Sequence, residues 1–91
     1  MATKCLQIRV EGKVQGVWYR ASTKRKAEEL GISGMVKNKS DGSVYIEACG
    51  EEAALEKLIE WCKQGPELAK VNWVICEQVA PKDYRGFVIV R

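Results

Sequence analysis

The sequence contains no histidine. The commonest general base and the commonest metal ligand are therefore both missing. The four cysteines, Cys5, Cys49, Cys62 and Cys76, form no C-x-x-C pair, so a zinc site of ordinary spacing is excluded. A cysteine-phosphatase nucleophile needs an arginine six positions on, but those positions hold Glu11, Leu55, Leu68 and Lys82. Acidic residues are plentiful, yet no D-x-D cluster marks a magnesium site. Neither G-x-x-x-x-G-K-[ST] nor G-x-G-x-x-G occurs, which leaves a nucleotide site without support. No apolar run is long enough to span a bilayer, and the N-terminus lacks the apolar stretch of a secretory signal. The expectation is a cytoplasmic protein without metal, cofactor or membrane partner. In that compartment the cysteines read as reduced, small apolar residues, although an even number leaves pairing open.

What is present suits one soluble domain spanning residues 1–91, with 46% apolar and 30% charged residues. The net charge of +3 is unevenly spread. Residues 1–40 carry nine Lys/Arg against three Asp/Glu, and residues 41–91 carry six against nine. The basic half would favour an anionic ligand, and it equally suits a solvated helix face.

Seven segments follow from periodicity. Leu6, Ile8 and Val10 alternate with Gln7, Arg9 and Glu11, as in a half-buried strand. Ser22 to Leu30 reads as a helix, with Gly31 after it. Gly34–Lys39 and Ser43–Cys49 form a hairpin around Ser40-Asp41-Gly42, with Val44, Ile46 and Ala48 facing inward. Glu51 to Gln64 is a helix with Leu55, Leu58, Ile59 and Cys62 as its apolar stripe, stopped by Gly65-Pro66. Val71–Val79 is a strand with Trp73 and Ile75 inward, and Gly86–Val90 a short edge strand. This order predicts an α+β, ferredoxin-like βαββαβ fold: an antiparallel sheet with two helices on one face. The other face would be open and could carry Tyr45.

Two features could carry chemistry. In the stretch from Val10 to Arg20, two glycines punctuate a loop between a strand and a helix. Such a loop can turn backbone N–H groups toward one point, and the helix start adds more. Arg20 is a cation at the wrong end of a helix dipole unless an anion is present, and its planar fork matches phosphate oxygens. A structural turn followed by a surface arginine fits the spacing as well. Asn38, near a strand end, has an amide suited to holding a water against an electrophile, and is equally a residue that begins a turn. An arginine, backbone amides and a carboxamide can position and neutralise, but supply no strong acid or base. That favours a substrate with a good leaving group. An acyl phosphate expels a carboxylate, whose conjugate acid has a pKa of roughly 4 to 5, so it departs unprotonated.

At these residues the sequence resembles the acylphosphatase family. Val10 to Arg20 matches V-x-G-x-V-Q-G-V-x-F-R, except that Tyr19 stands at the usual Phe. Gly34-Met35-Val36-Lys37-Asn38, then Asp41-Gly42-Ser43-Val44 and Gly50, match a second signature in which Met35 replaces an aromatic. The resemblance implies a metal-independent hydrolase of acyl phosphates. Carried over, Arg20 binds the phosphoryl group together with amides of a loop comprising Gln15, Gly16, Val17, Trp18, Tyr19 and Arg20. Asn38 orients the attacking water. Inorganic phosphate would bind as product or inhibitor, and the chain would act as a monomer with no nucleic-acid partner. The rival reading is a nucleic-acid-binding module, since ferredoxin-like sheets can stack bases on exposed aromatics. Gly86-Phe87-Val88 matches only a fragment of the relevant sheet motif. A non-catalytic domain that keeps the anion pocket is a third.

Overall fold

The computed structural model describes residues 3–90; Met1, Ala2 and Arg91, the ends of the expected domain, lie outside them. The elements are β1 (Thr3–Lys13), α1 (Tyr19–Glu29), β2 (Ser33–Asn38), β3 (Val44–Glu51), α2 (Glu52–Gln64), β4 (Lys70–Val79) and β5 (Phe87–Ile89). The strands form one sheet in the order β4-β1-β3-β2-β5. This is the ferredoxin-like arrangement, extended by β5 at the edge. The expected all-antiparallel sheet needs one correction, because β5 pairs with β2 in parallel through Gly34↔Phe87 and Val36↔Ile89. The chain crosses the sheet between β4 and β5, so it re-enters beside β2 in the same direction.

The core lies between sheet and helices. Ile8, Val10, Val36, Val44, Ile46 and Ala48 point from one sheet face toward Ala27, Leu55, Leu58 and Cys62. Removing apolar side chains such as these from water is the main stabilising term, at about 1.5–3 kcal/mol each for a Val, Leu or Ile. The α2 stripe is as its periodicity predicts, with Leu55, Leu58 and Cys62 buried. β4 corrects another expectation. Val74 pairs with Val10 and Cys76 with Ile8, so these two share the core face. Trp73 and Ile75 therefore stand on the opposite face, 65% and 55% exposed. Alternation misled here because both sets of β4 side chains are apolar, and a register shift at Glu11/Gly12 resets the pairing.

The opposite sheet face is partly covered by the connection 80–86. Beneath it, Cys5 and Cys49 face each other across β1 and β3 and are joined as a disulfide. This overturns the expectation of four reduced thiols; the antiparallel register brings their Cα atoms to 4.1 Å. Glu47 fastens the connection. It accepts from the Tyr45 hydroxyl at 2.7 Å, from the Tyr84 hydroxyl, and from Lys82 Nζ at 2.9 Å. Tyr45 thus sits on this face as expected, but it is held by hydrogen bonds and flanked by Lys37 and Lys39 above its ring.

The hydrogen bonds from Tyr45 and Tyr84, with help from Lys82, hold the Glu47 carboxyl down at about 2, from 4.5. Its contribution to stability is complete above pH 4.5 and is lost as pH falls from 4.5 through 2. Burial, then the Glu47 bond, pushes the Tyr84 hydroxyl up to about 12, so its contribution is lost as pH rises from 10 through 12. Glu47→Gln is expected to lower stability at neutral pH by about 1–3 kcal/mol. In denaturant titrations at several pH values, the gap from wild type should close toward pH 2.

Thiol titration checks the cysteines. Cys62 is buried and free, its thiol pushed up to about 12 chiefly by burial, whereas the free Cys76 is exposed. One thiol should react in the native protein, a second after unfolding without reductant, and all four after reduction.

Candidate active site

The loop between β1 and α1 owes its shape to residues on either side of it. Tyr19, the first residue of α1, is 1% exposed and stacks obliquely on Trp61, with ring centroids 5.4 Å apart. Its hydroxyl donates to the Cys62 carbonyl at 2.8 Å. The α-helical donor for that carbonyl would be the residue four positions on, which is Pro66 and has no N–H. Gly65 (φ 67°) leaves room for the ring, since a Cβ there would lie 2.8 Å from Tyr19 Cε2. The hydroxyl that distinguishes Tyr19 from phenylalanine thus fills a vacancy made by the α2 stop signal. Burial pushes the Tyr19 hydroxyl far above its ordinary range, so it stays protonated.

Tyr19 also explains why α1 begins three residues before the expected Ser22. Its carbonyl accepts from the buried Thr23 hydroxyl at 2.7 Å, which closes the first turn. Trp18 caps the helix in the left-handed region (φ 67°) and offers no side-chain hydrogen bond, and the first turn holds no acidic residue. Among the described residues, no backbone N–H from Gly16 to Ala21 donates to another protein group. Gly16 is also left-handed (φ 73°), and a Cβ there would meet nothing within 4 Å. A helix N-terminus preceded by alternating left-handed residues, with its donors unspent, is a ready anion site.

The second half of the site is the β2–β3 hairpin. Asp41 Oδ1 accepts from the Ser43 amide at 2.9 Å and the Ser43 hydroxyl at 2.6 Å. These bonds lead the causes that lower the Asp41 pKa. Arg9 pairs with Asp41 Oδ2 at 2.6 Å. The turn so fixed presents two carbonyls, of Lys39 and Ser43, to Gln15 Nε2 at 2.8 and 2.9 Å. Gln15 therefore staples the loop to the hairpin, and the N–H groups of its side chain are spent there. Val17 is buried at 3% exposure and anchors the loop in the core.

Between loop and hairpin lies a cavity of about 350 Å³. Gly16, Trp18, Tyr19 and Arg20 line one side and Asn38 another; Val14, Ala21 and Ile89 complete the wall. Arg20 and Asn38, separated in sequence by the rest of α1 and by β2, thus line one space. Of the six loop residues expected from sequence, Gln15 and Val17 do not line it. The Asn38 Oδ1 atom is buried without a hydrogen-bond partner among the described residues. A buried carbonyl oxygen left unsatisfied costs about 1–3 kcal/mol, so its placement signals a donor supplied from outside the chain. Arg20 likewise forms no ion pair among the described residues. Sequence reasoning missed Ile89 as a cavity residue and Gln15 as a staple, because each depends on pairings between distant segments.

The acylphosphatase family profile matches residues 6–89. The chain belongs to that family. An acylphosphatase from Acaryochloris marina is 47% identical over 87 residues, covering 96% of this chain and 94% of the relative. Among solved structures, an acylphosphatase from Coxiella burnetii superposes with a TM-score of 0.94 at 43% identity, covering 97% of this chain and 93% of that one. One from Bacillus subtilis gives 0.94 at 34% identity, covering 97% and 99%. The chain is thus an acylphosphatase-family enzyme with the fold of those structures.

If Gln15 registers the two halves of the site, Gln15→Ala should lower turnover at least tenfold, since a misplacement of about 1 Å can cost a hundredfold. Stability should fall by only roughly 1–2 kcal/mol. Gln15→Glu should be worse, because a carboxylate would face the two carbonyls now receiving N–H bonds. Steady-state kinetics and thermal melts on both variants check this.

Proposed function

We propose that the chain hydrolyses acyl phosphates to a carboxylate and inorganic phosphate, with Arg20 and Asn38 as its catalytic residues. The observation that carries this reading is the shared cavity, lined by both Arg20 and Asn38, whose Oδ1 is buried without a hydrogen-bond partner among the described residues. In this reading the Arg20 guanidinium and the amides of Gly16 to Arg20 hold the phosphoryl oxygens. The amides are fixed before substrate arrives, so they stabilise charge in the transition state without reorganising. Asn38 Oδ1 accepts a hydrogen bond from a water and holds its oxygen toward phosphorus.

Attack forms the new P–O bond as the bond to the acyl oxygen breaks, and the carboxylate leaves with the electron pair. Both protons of the water end on phosphate, giving dihydrogen phosphate from a dianionic substrate. The substrate's own phosphoryl oxygens serve as proton acceptor. This sequence asks for no protein acid, because the leaving carboxylate is stable unprotonated at neutral pH. A phosphate ester would expel a basic alkoxide and should be a poor substrate. Inorganic phosphate should compete for the same donors.

The test is phosphate release from acetyl and benzoyl phosphate in the presence of a chelator. Arg20→Ala should lower kcat/KM by about a hundredfold or more, as should Asn38→Ala, the range for loss of one transition-state donor or aligner. Arg20→Lys should remain poor, because a point charge does not reproduce the fork. Full activity in both alanine variants, with circular dichroism unchanged, would refute the assignment.

A further inference from the structure

The cavity is larger than its phosphoryl end requires. A phosphoryl group fills on the order of 100 Å³, a few water volumes at about 30 Å³ each. The cavity holds about 350 Å³. Val14, Trp18, Ala21 and Ile89 also line it. Arg20 is the one charged side chain lining it. The space beyond the phosphoryl group is therefore apolar and has no cation left for a second anionic group.

Trp18 is the unusual member of this wall. It is the only non-glycine at positive φ among the described residues, a position where Gly or Asn would sit without strain. The residue is nonetheless 76% exposed, the most exposed of the large apolar residues described. Neither fold nor core explains an indole here, since the helix cap needs only the backbone conformation. An indole at the cavity mouth offers a flat π-face to whatever group extends outward from the phosphoryl pocket. Flat rings stack there with more gain than aliphatic groups of similar area.

Resting on the acyl-phosphate reading above, we infer that Trp18 is a specificity-determining residue that selects substrates with an uncharged aromatic acyl group. The ring of the acyl group lies between the Trp18 indole and the Ile89 side of the cavity, while Arg20 holds the phosphoryl group.

The experiment compares kcat/KM for benzoyl, cyclohexanecarbonyl and acetyl phosphate in the full chain and its variants. Trp18→Gly keeps the backbone conformation, and Trp18→Asn serves where the glycine variant does not fold. The benzoyl-to-acetyl ratio should drop by about tenfold in either variant, mainly through KM for benzoyl phosphate, and stay near wild type in Trp18→Phe. Ile89→Ala, on another wall, should lower the same ratio. A ratio within about twofold of wild type in both the glycine and asparagine variants would overturn the inference and leave the hydrolase reading standing. Equal losses on benzoyl and cyclohexanecarbonyl phosphate would overturn the aromatic assignment. Wild-type protein that releases phosphate from none of the three would instead sink the acyl-phosphate reading itself.

Discussion

The bond from the Tyr19 hydroxyl to the Cys62 carbonyl is the contact on which the placement of the site depends. It joins the first residue of α1 to the last turn of α2. Both partners are buried, so neither can turn to water if the other moves. A proline follows four residues after the acceptor and a glycine clears the space for the ring, so a helix stop doubles as a socket. The start of α1, with its unspent N–H groups, is thereby tied to the hydrophobic core. A donor array at a helix end is useful to an anion only if it holds still, and here it is held by side-chain packing one residue away.

The same logic extends to the hairpin. Arg9, Asp41 and Ser43 shape the turn, and Gln15 carries that shape to the loop. Asn38 stands at the end of β2, where pairing with Val44 fixes its backbone while leaving its amide in the cavity. The two halves of the site come from different elements and meet through one glutamine. The reaction proposed above uses no titrating catalyst, so that division would place its efficiency on geometry.

Much of this was legible in the sequence. The α2 stripe, the hairpin turn and the alternation of β1 announce themselves through local periodicity. The paired signatures around Arg20 and Asn38 pointed to residues that the fold brings to one cavity. What was hidden depends on partners far along the chain. Trp73 and Ile75 looked like core because nothing local distinguishes the two apolar faces of β4, and only pairing with β1 settles the parity. Cys5 and Cys49 looked like ordinary apolar residues until the register of β1 and β3 set them side by side. The parallel entry of β5 has no local signature, because three residues fit either direction. Tyr19 read as a packing substitution, and its hydrogen bond depends on a proline 47 positions away.

The sheet order also bears on how the protein comes to be active. β1 is the strand that leads into the loop before α1, and its neighbours are β3 and β4, with pairings such as Cys5↔Cys49 and Cys5↔Val79. No hairpin joins β1 to either neighbour, so its place is fixed only after long loops have closed, which topology makes slow. Ile89 reaches the cavity only when β5 has docked beside β2. The cavity is therefore a late product of folding. A chain that has formed its helices and its β2–β3 hairpin would have most of its secondary structure and a cavity still missing a wall.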